Sequence, residues 1–290
     1  MLRRRFRAMG TDAELVLDAA PNGSAIRALA EAEREVRRLE GIFSRFDPDS
    51  ELSQLNRQRA MTVGPELLEV VELALAARER TSGRFDPTVH DALVAAGYDR
   101  TFEELAADEE VSDRWAGTAA GCAGLARVDR AAQSIELDSG VRLDLGGIAK
   151  GYAVDRAADI AGALGRCLVG LGGDIAVRGG GWPIGLETAD GTMTLELGNG
   201  AVATSGRDRR RWTRDGRELH HLIDPATGRP AESDLLRVTA VSATATEAEV
   251  HAKALFLAGA RQARREADAA ALPAVLVTLD GRTLLAGGLG

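Results

Sequence analysis

The sequence predicts an α+β fold, and the order of the elements along the chain is the main reason. Helical patterns come first, strand-like segments fill the middle, and no steady strand–helix–strand alternation is present. A doubly wound parallel sheet needs that alternation, so the pattern favours helices segregated from an antiparallel sheet. No linker rich in proline, serine or charge divides the chain. We therefore expect a single domain over residues 1–290, made of two intimate lobes.

Hydrophobic periodicity and turn residues predict the individual elements. After a first strand, Ser24 can cap a helix in which apolar residues such as Ile26 recur at helical spacing. A second helix starts at Pro65 and ends near Gly83. Further helices are predicted over residues 151–164 and 246–258. Strands are predicted within 126–143, with a turn near Ala131, and then over 167–170, 174–178, 182–187, 193–197, 201–204, 235–242 and 274–278.

Composition excludes several classes of protein. With 290 residues, of which 45% are hydrophobic and 28% charged, the chain is globular and long enough to bury a core. The net charge of −8 argues against a nucleic-acid partner, because phosphate contacts need a basic surface. Nowhere do about 18 apolar residues run together, so no membrane-spanning helix is expected.

The N-terminus and the cysteines bear on the cellular compartment. The chain starts with several arginines but lacks the apolar stretch of about 7–15 residues that an export signal needs, so a cytoplasmic location is expected. Cys122 and Cys167 are too few for a disulfide scaffold, and neither lies in a CxxC pair of the metal-binding type.

Lysine is rare in this chain. Of the 36 basic residues 34 are arginine, and lysine stands only at Lys150 and Lys253. A GC-rich genome produces such a bias. The remaining lysines are then candidates for positions where a compact ammonium works and a planar guanidinium does not. Chance retention of two lysines is the alternative.

A glycine-rich loop joins a strand to a helix at residues 143–151. Gly146 and Gly147 let the backbone approach a ligand without Cβ clashes, and the N–H groups at the helix start favour an anion. Lys150 adds a positive charge suited to phosphate. The spacing matches neither a P-loop nor a Rossmann fingerprint. The alternative is a tight strand-to-helix turn with a surface lysine.

Three further segments combine turn chemistry with polar residues. The glycines of residues 168–175 are explained by a hairpin turn. Asp86 and Asp224 each precede a proline, where an aspartate can hydrogen-bond to its own backbone. Turn chemistry does not explain His220 and His221 beside apolar residues. For these two, a packed, hydrogen-bonded histidine and a catalytic histidine both stay open.

Glu249 and Lys253 lie four residues apart, on one face of the predicted late helix. As an exposed ion pair they would stabilise that helix by about 0.2–0.5 kcal/mol. Glu249 also offers a hard oxygen of the kind that Mg²⁺ binds. The spacing alone does not decide between these two interpretations.

Taken in order, these segments resemble the ApbE family, the bacterial FAD:protein FMN transferases. The similarity extends from Met9 to about Gly259, nearly the whole chain, and the ordered set of motifs is specific although each motif is short. The matching segments are residues 9–11 (MGT), 43–46 (FSRF), 49–52 (DSEL), Asn56, 83–88 (GRFDPT), 143–152 (LDLGGIAKGY), 172–174 (GGD), 204–206 (TSG) and 221–228 (HLIDPATG).

The resemblance implies an ApbE-like α+β fold related to T-fold proteins, and a defined reaction. Family members cleave the pyrophosphate of FAD, attach the FMN half to a Thr or Ser hydroxyl of an acceptor protein, and release AMP. FAD is therefore the expected substrate, and an acceptor flavoprotein with a Thr/Ser flavinylation motif is the expected partner. Carried over by position, with Lys150 at the pyrophosphate, the FAD-binding residues are Met9, Gly10, Phe46, Arg84, Phe85, Asp86, Asp144, Lys150 and Ile223.

The resemblance also implies catalytic and metal-binding positions. His221 stands at the family's histidine and is the candidate to orient or deprotonate the acceptor hydroxyl. The family holds Mg²⁺ with a backbone carbonyl that matches Gly147 and with an Asp and a Thr on the late helix. Here Glu249 stands at the Asp position and Lys253 at the Thr position. Glutamate keeps the carboxylate, but a protonated ammonium has no acceptor and cannot ligate Mg²⁺.

Two interpretations of this departure stay open. In the first, the Lys253 ammonium is paired to Glu249 and replaces the charge of the metal, which makes both residues catalytic. In the second, metal chemistry is lost and the protein binds flavin without transferring it efficiently. FMN transfer is the leading function. FAD hydrolysis to FMN and AMP, and a non-catalytic flavin-binding protein with a degenerate metal site, are the alternatives.

Overall fold

The computed structural model describes residues 1–107, 122, 124–214 and 216–289. Helices account for 35% of the chain and strands for 32%, which confirms the α+β class. The helices are α1 (Gly23–Phe43), α2 (Glu51–Gln58), α3 (Pro65–Arg80), α4 (His90–Ala95), α5 (Phe102–Ala107), α6 (Ala149–Gly162) and α7 (Ala245–Ala269).

Short strands make up most of the remaining regular structure. They are β1 (Leu2–Ala8), β2 (Thr11–Asp18), β3 (Ala60–Thr62), β4 (Ala126–Asp129), β5 (Ser134–Leu137), β6 (Arg166–Leu171), β7 (Asp174–Arg178), β8 (Trp182–Thr188), β9 (Gly191–Leu197), β10 (Gly200–Gly206), β11 (Arg211–Arg214), β12 (Arg217–His220), β13 (Ile223–Asp224), β14 (Arg229–Pro230), β15 (Leu235–Ser242), β16 (Ala274–Thr278) and β17 (Thr283–Ala286). Three predicted strands, over 174–178, 235–242 and 274–278, coincide with β7, β15 and β16.

The chain divides into two compact units. Unit 1 comprises Met1–Glu40, Ile148–Gly206 and Ser233–Gly290, and unit 2 comprises Gly41–Gly147 and Arg207–Glu232. The organisation of residues 1–290 as a single domain stays a prediction.

Unit 1 is built on an eight-stranded sheet with the order β1-β2-β6-β7-β10-β15-β16-β17. Every neighbouring pair in it is antiparallel. The hairpin β8–β9 packs on one face through a cluster that includes Trp182, Val16 and Val202. Helix α6 packs against β6 and β7, and α7 packs against β10 and β15. Leu15 is fully buried and, by strand alternation, faces away from Val16, so the sheet is apolar on both faces.

Unit 2 contains a three-stranded sheet with the order β3-β5-β4, the two-stranded ribbons β11–β12 and β13–β14, and helices α2 to α5. One of its apolar clusters brings together Leu93, Tyr98, Trp212 and Ile223. The Trp212 indole donates a hydrogen bond to the carbonyl of Ala96 at 2.9 Å. That bond ties the ribbon β11–β12 to the end of α4.

The start of α1 differs from the prediction. Asn22, and not Ser24, caps the helix: its side-chain oxygen accepts the backbone N–H groups of Ser24 (3.0 Å) and Ala25 (2.9 Å). Ile26, predicted on the apolar face, is 54% exposed. Asparagine and serine are equally good caps, so the pattern could not choose between neighbouring positions.

Helices α6 and α7 of unit 1 approach each other closely at Gly151. A Cβ atom on Gly151 would lie 2.5 Å from the carbonyl oxygen of Ala245, at the start of α7. One turn further along α6, the Asp155 carboxylate accepts hydrogen bonds from Ala245 N (2.8 Å), Thr246 N (2.9 Å) and Thr246 Oγ1 (2.7 Å). An aspartate that caps the first amides of another helix satisfies donors that would otherwise be unpaired.

Replacing Gly151 with alanine is therefore expected to destabilise the protein. The added methyl group meets backbone atoms that cannot move without displacing α7, and such overpacking costs about 1–3 kcal/mol. Gly41→Ala is the matched control, because that helical glycine is exposed and has no atom within 4 Å of its Cβ position. Thermal unfolding should show a lower Tm for Gly151→Ala and an equal or higher Tm for Gly41→Ala. Equal melting of both variants would contradict the close approach.

Candidate active site

Unit 1 contains a lysine–carboxylate cluster made of Lys150, Asp174 and Glu249. The Lys150 ammonium lies 2.7 Å from Asp174 Oδ2 and also contacts Glu249 Oε1. The backbone N–H of Gly151 donates to the second oxygen of Glu249 at 2.9 Å. Asp174 is 1% exposed and Glu249 3% exposed, so one ammonium serves two buried carboxylates.

Local sequence explains how the three side chains meet. Lys150 lies in the first turn of α6, directly after the glycine-rich loop. Asp174 begins β7, after the turn at Gly172 that closes the β6–β7 hairpin. Glu249 lies in the second turn of α7, whose start is capped by Thr244 and docked on α6 by Asp155. At the start of α6, the backbone N–H of Gly151 therefore binds the carboxylate of Glu249.

Lys253 follows Glu249 by one turn of α7 and is half-buried. Since residues four apart on a helix have Cβ atoms about 5–6 Å apart, its ammonium belongs to the same side of α7 as Glu249. Because Glu249 is buried, the interpretation of an exposed helix pair is wrong. The ion pair between Glu249 and Lys150 was not predicted from the sequence.

Met9 and Gly10, two of the predicted FAD-binding residues, form the turn between β1 and β2 in unit 1. Both have positive φ angles, 52° for Met9 and 66° for Gly10. Glycine adopts this conformation freely, whereas methionine does so at a cost in free energy. The backbone N–H of Met9 donates to Glu40, which holds the turn in place. Strained non-glycine residues of this kind concentrate at functional sites.

In unit 2, Arg45 links two predicted FAD-binding residues. Its guanidinium forms a buried ion pair with Asp144 at 2.7 Å and lies over the rings of Phe46 (4.2 Å) and Tyr98 (4.5 Å). The other oxygen of Asp144 accepts the N–H of Gly146 at 2.8 Å. Arg45 thus brings Phe46 and Asp144 together, and it was not singled out from the sequence.

A cavity of about 420 Å³ opens beside this arrangement in unit 2. Its walls combine an aromatic ring with cationic and amide groups from Arg45, Phe46, Pro48, Ser53, Asn56, Arg57, His90 and Arg142. Within the described chain, Arg45 Nη2 is buried and has no hydrogen-bond partner. A polar aromatic ligand could accept a hydrogen bond from Arg45 Nη2 and stack on the ring of Phe46. Burial lowers the pKa of His90, so its ring is neutral near pH 7.

In unit 2, an ion pair, two hydrogen bonds and a buried ring hold the loop of Arg84, Phe85 and Asp86 in place. Asp86 Oδ2 pairs with Arg78 at 2.8 Å, and its Oδ1 accepts the backbone N–H (2.8 Å) and hydroxyl (2.7 Å) of Thr88. The ring of Phe85 is 2% exposed. The side chains of Phe85 and Asp86 therefore hold the loop in shape.

The two adjacent histidines of unit 2 have different roles in the structure. His220 is buried: Nε2 donates to the carbonyl of Ala231 (3.1 Å), and Nδ1 accepts the N–H of Leu222 (3.2 Å). His221 is half-buried, and its Nδ1 lies 3.3 Å from the carbonyl of Arg210. A carbonyl only accepts, so Nδ1 of His221 is the donor in this contact. His220 fits a packed histidine, and the catalytic role of His221 stays a prediction.

The buried His220 makes stability depend on pH. Burial lowers its pKa from 6.5 to about 4. Between pH 6.5 and about 4 the unfolded chain binds a proton at His220 that the folded chain does not bind. The contribution of His220 to the free energy of unfolding is therefore fully present above pH 6.5 and is lost as the pH falls towards 4. The loss approaches about 3 kcal/mol. Urea unfolding at about pH 7 and about pH 5 should show it, and His220→Gln should flatten the dependence. If the wild type and His220→Gln lost the same free energy of unfolding between these two pH values, the assignment would be contradicted.

Neither cysteine is suited to act as a nucleophile. Both are unpaired, and burial raises the pKa of Cys122 and of Cys167 to about 11. The reactive form of a cysteine is the thiolate, which is scarce near neutral pH at such a pKa.

The residues at the predicted metal positions do not fit a divalent ion. Both oxygens of Glu249 already accept hydrogen bonds, from Lys150 and Gly151. Lys253 offers donors only. Among the residues that the structure describes, no group of three or more His, Cys, Asp or Glu side chains could hold a metal. Gly147, the third predicted metal position, lies in the turn directly before α6.

Comparison with known proteins decides the family. A sequence profile of the ApbE family matches residues 9–276. The chain belongs to the ApbE family. A FAD:protein FMN transferase of Treponema pallidum is 30% identical over 267 residues, which cover 80% of this chain and 71% of that protein. A FAD:protein FMN transferase of Vibrio cholerae is 28% identical and covers 85% of this chain and 78% of its own length.

Solved structures agree with the ApbE assignment. An ApbE protein of Thermotoga maritima has a TM-score of 0.86 at 30% identity and covers 98% of this chain and 96% of its own. A mutant form of the flavin transferase ApbE from Vibrio cholerae has a TM-score of 0.81 at 25% identity, with 99% and 98% covered. These matches confirm the ApbE-like fold that the motifs predicted. In the described residues, no helix is both long and apolar enough to cross a bilayer.

The structure adds three residues to those that the ApbE motifs indicated. Arg45, Asp155 and Asp174 each fix a predicted site element through a hydrogen bond or ion pair. Arg45 and Asp174 are the charged residues of two matching motifs, FSRF and GGD, and that charge is the signal that indicates them. Asp155 lies outside the motifs and had no signal in the sequence.

Proposed function

We propose that this chain is a FAD:protein FMN transferase, which moves FMN from FAD to a Thr or Ser hydroxyl of an acceptor protein and releases AMP. The observation that carries the proposal is the match of residues 9–276 to the ApbE family. The curated relatives reported above are named as transferases, which favours transfer over hydrolysis or passive flavin binding.

The reaction is a phosphoryl transfer without a change of oxidation state. The acceptor hydroxyl oxygen attacks the phosphorus of the FMN half and forms a new P–O bond. The P–O bond to the AMP phosphate breaks, and its electron pair goes to the AMP oxygen. The hydroxyl proton leaves to a base. Such reactions depend on positioning and on stabilising the charge of the phosphate oxygens.

His221 is the proposed base. Its Nδ1–H is directed at the carbonyl of Arg210, which fixes the tautomer and makes Nε2 the proton acceptor. General-base catalysis by a positioned histidine contributes about 10²–10⁴-fold to a rate.

Lys150 is the proposed phosphate-binding cation, and the carboxylates of Asp174 and Glu249 fix the position of its ammonium. In unit 2, Phe46 offers a ring face for stacking, and Arg45 Nη2 offers an unsatisfied donor beside it. The turn at Met9 and Gly10, the loop from Arg84 to Asp86, Asp144 and the buried Ile223 complete the proposed FAD-binding set. Mg²⁺ takes no part in these steps, because the donor set does not fit it.

The test is incubation of the purified chain with FAD and a peptide that contains the segment Thr-Gly-Ala-Thr, with Mg²⁺ present. Mass spectrometry should find one FMN added to the peptide, and chromatography should find one equivalent of AMP. A peptide with alanine at the acceptor threonine is the control and should stay unmodified. AMP release without acceptor would indicate hydrolysis, and intact FAD would indicate a flavin carrier. Either result would overturn the proposal.

A cytoplasmic location is part of this proposal. It requires an acceptor protein in the same compartment. Cell fractionation followed by immunoblotting checks it, and recovery of the protein outside the cytoplasmic fraction would contradict it.

A further inference from the structure

The lysine–carboxylate cluster occupies the place where a divalent ion would need ligands. Glu249 is the carboxylate that the family pattern assigns to a metal, and in this chain the Lys150 ammonium contacts its Oε1. Its Oε2 accepts the Gly151 N–H at 2.9 Å. An incoming ion would have to displace an ammonium whose side chain is only 17% exposed and break a backbone hydrogen bond. The Lys253 side chain has no oxygen ligand that could compensate for these two losses.

The charges of the site point in the same direction. Lys150 contacts two buried carboxylates, Asp174 and Glu249, and Lys253 adds a second positive charge one turn of α7 beyond Glu249. Together the two lysines carry as many positive charges as one divalent ion. The only lysines of the chain are these two, although it has 34 arginines. An ammonium is a compact point charge with three donors, so it can approach a phosphate oxygen as a small cation does, whereas a guanidinium is planar and forked.

We propose that FMN transfer by this chain uses the ammonium groups of Lys150 and Lys253 in place of a divalent metal ion, with Asp174 as the residue that positions Lys150. The inference rests on the proposed function. The ammonium groups stabilise the negative charge that moves to the AMP phosphate oxygen when the P–O bond breaks. No electron is exchanged with a metal or any other partner in this step.

The first test is transfer to the acceptor peptide in the presence of Mg²⁺ and in the presence of EDTA. The expected result is the same rate in both conditions. Transfer that EDTA abolishes and Mg²⁺ restores would overturn the inference but leave the transferase assignment intact. No FMN adduct in either condition would contradict the transferase assignment itself, and the metal question is then answered by the binding measurement below.

The second test is binding of Mg²⁺ alone, followed by the thermal shift of the protein. The wild-type chain should show no rise in Tm. A rise that is lost in Glu249→Gln would place the ion at Glu249 and overturn the inference. A rise that persists in Glu249→Gln would place a bound ion elsewhere, and loss of transfer in EDTA would then overturn the inference.

A double variant, Glu249→Asp with Lys253→Thr, should build the carboxylate and hydroxyl pair that the chain lacks. We expect it to gain a Mg²⁺-dependent rise in Tm and EDTA-sensitive transfer. If it fails to fold, Lys253→Met and Lys253→Arg carry the test. The methionine variant should lose about 10²–10³-fold in rate with no rescue by Mg²⁺, and the arginine variant should keep more activity. Wild-type activity of the methionine variant would contradict a role for the charge at position 253.

Discussion

Replacing Lys150 with methionine will abolish FMN transfer and lower the free energy of unfolding by about 3–5 kcal/mol. The stability loss follows from the surroundings of the ammonium. Asp174 and Glu249 are almost completely buried, and Lys150 contacts both of them. Without the lysine, two carboxylates would stay buried without the ammonium that contacts both of them. Urea unfolding and the peptide transfer assay measure the two effects separately.

A triple variant separates charge from catalysis. Lys150→Met combined with Asp174→Asn and Glu249→Gln removes all three charges and keeps the shapes of the side chains. Its stability should recover most of the loss, because replacing a whole buried ionic group by neutral residues is often close to neutral. Its transferase activity should not recover. If the single variant were as stable as the wild type, the buried ion pairs would not have the energetic role assigned to them here.

Replacing His221 with alanine will lower kcat by about 10²–10⁴-fold and leave FAD binding nearly unchanged. In the proposed mechanism the ring accepts the hydroxyl proton at Nε2, and the contact of Nδ1 with the carbonyl of Arg210 sets the tautomer. Single-turnover transfer to the peptide measures the rate, and fluorescence titration measures FAD affinity.

His220→Gln is the matched comparison for the neighbouring histidine. His220 packs in the interior and satisfies both ring nitrogens with backbone groups. Its replacement should reduce stability and keep the transfer rate per folded molecule. A large rate loss for His220→Gln, or a loss of FAD binding for His221→Ala, would reverse the roles assigned to the two residues.

Most strands of unit 1 could be predicted from the sequence because their signals are local, but β17 was not predicted. Residues 235–242 are rich in apolar and β-branched side chains, and they form β15 with the predicted bounds. The short helices α2 and α4 have no long periodic pattern, and they were not predicted. The cap of α1 fell two residues from Ser24 because Asn22 satisfies the same donors.

The active-site chemistry was only half predictable, again for a physical reason. The helical periodicity predicts which residues are neighbours within one helix, and it therefore predicted that Glu249 and Lys253 lie on the same face. The ion pair with Lys150 joins residues 99 apart in the sequence. It depends on the close approach at Gly151 and on the hydrogen bonds of Asp155 to the start of α7. No periodicity encodes that approach.

The link between Asp155 and the first amides of α7 has a consequence for the energetics of the reaction. It locks the helix that carries Lys150 and the helix that carries Glu249 into one rigid block. The electrostatic field at the ammonium is then set during folding, before any nucleotide arrives. In the proposed reaction, a field set in advance would need little reorganisation when the P–O bond breaks, whereas water would have to reorient its dipoles.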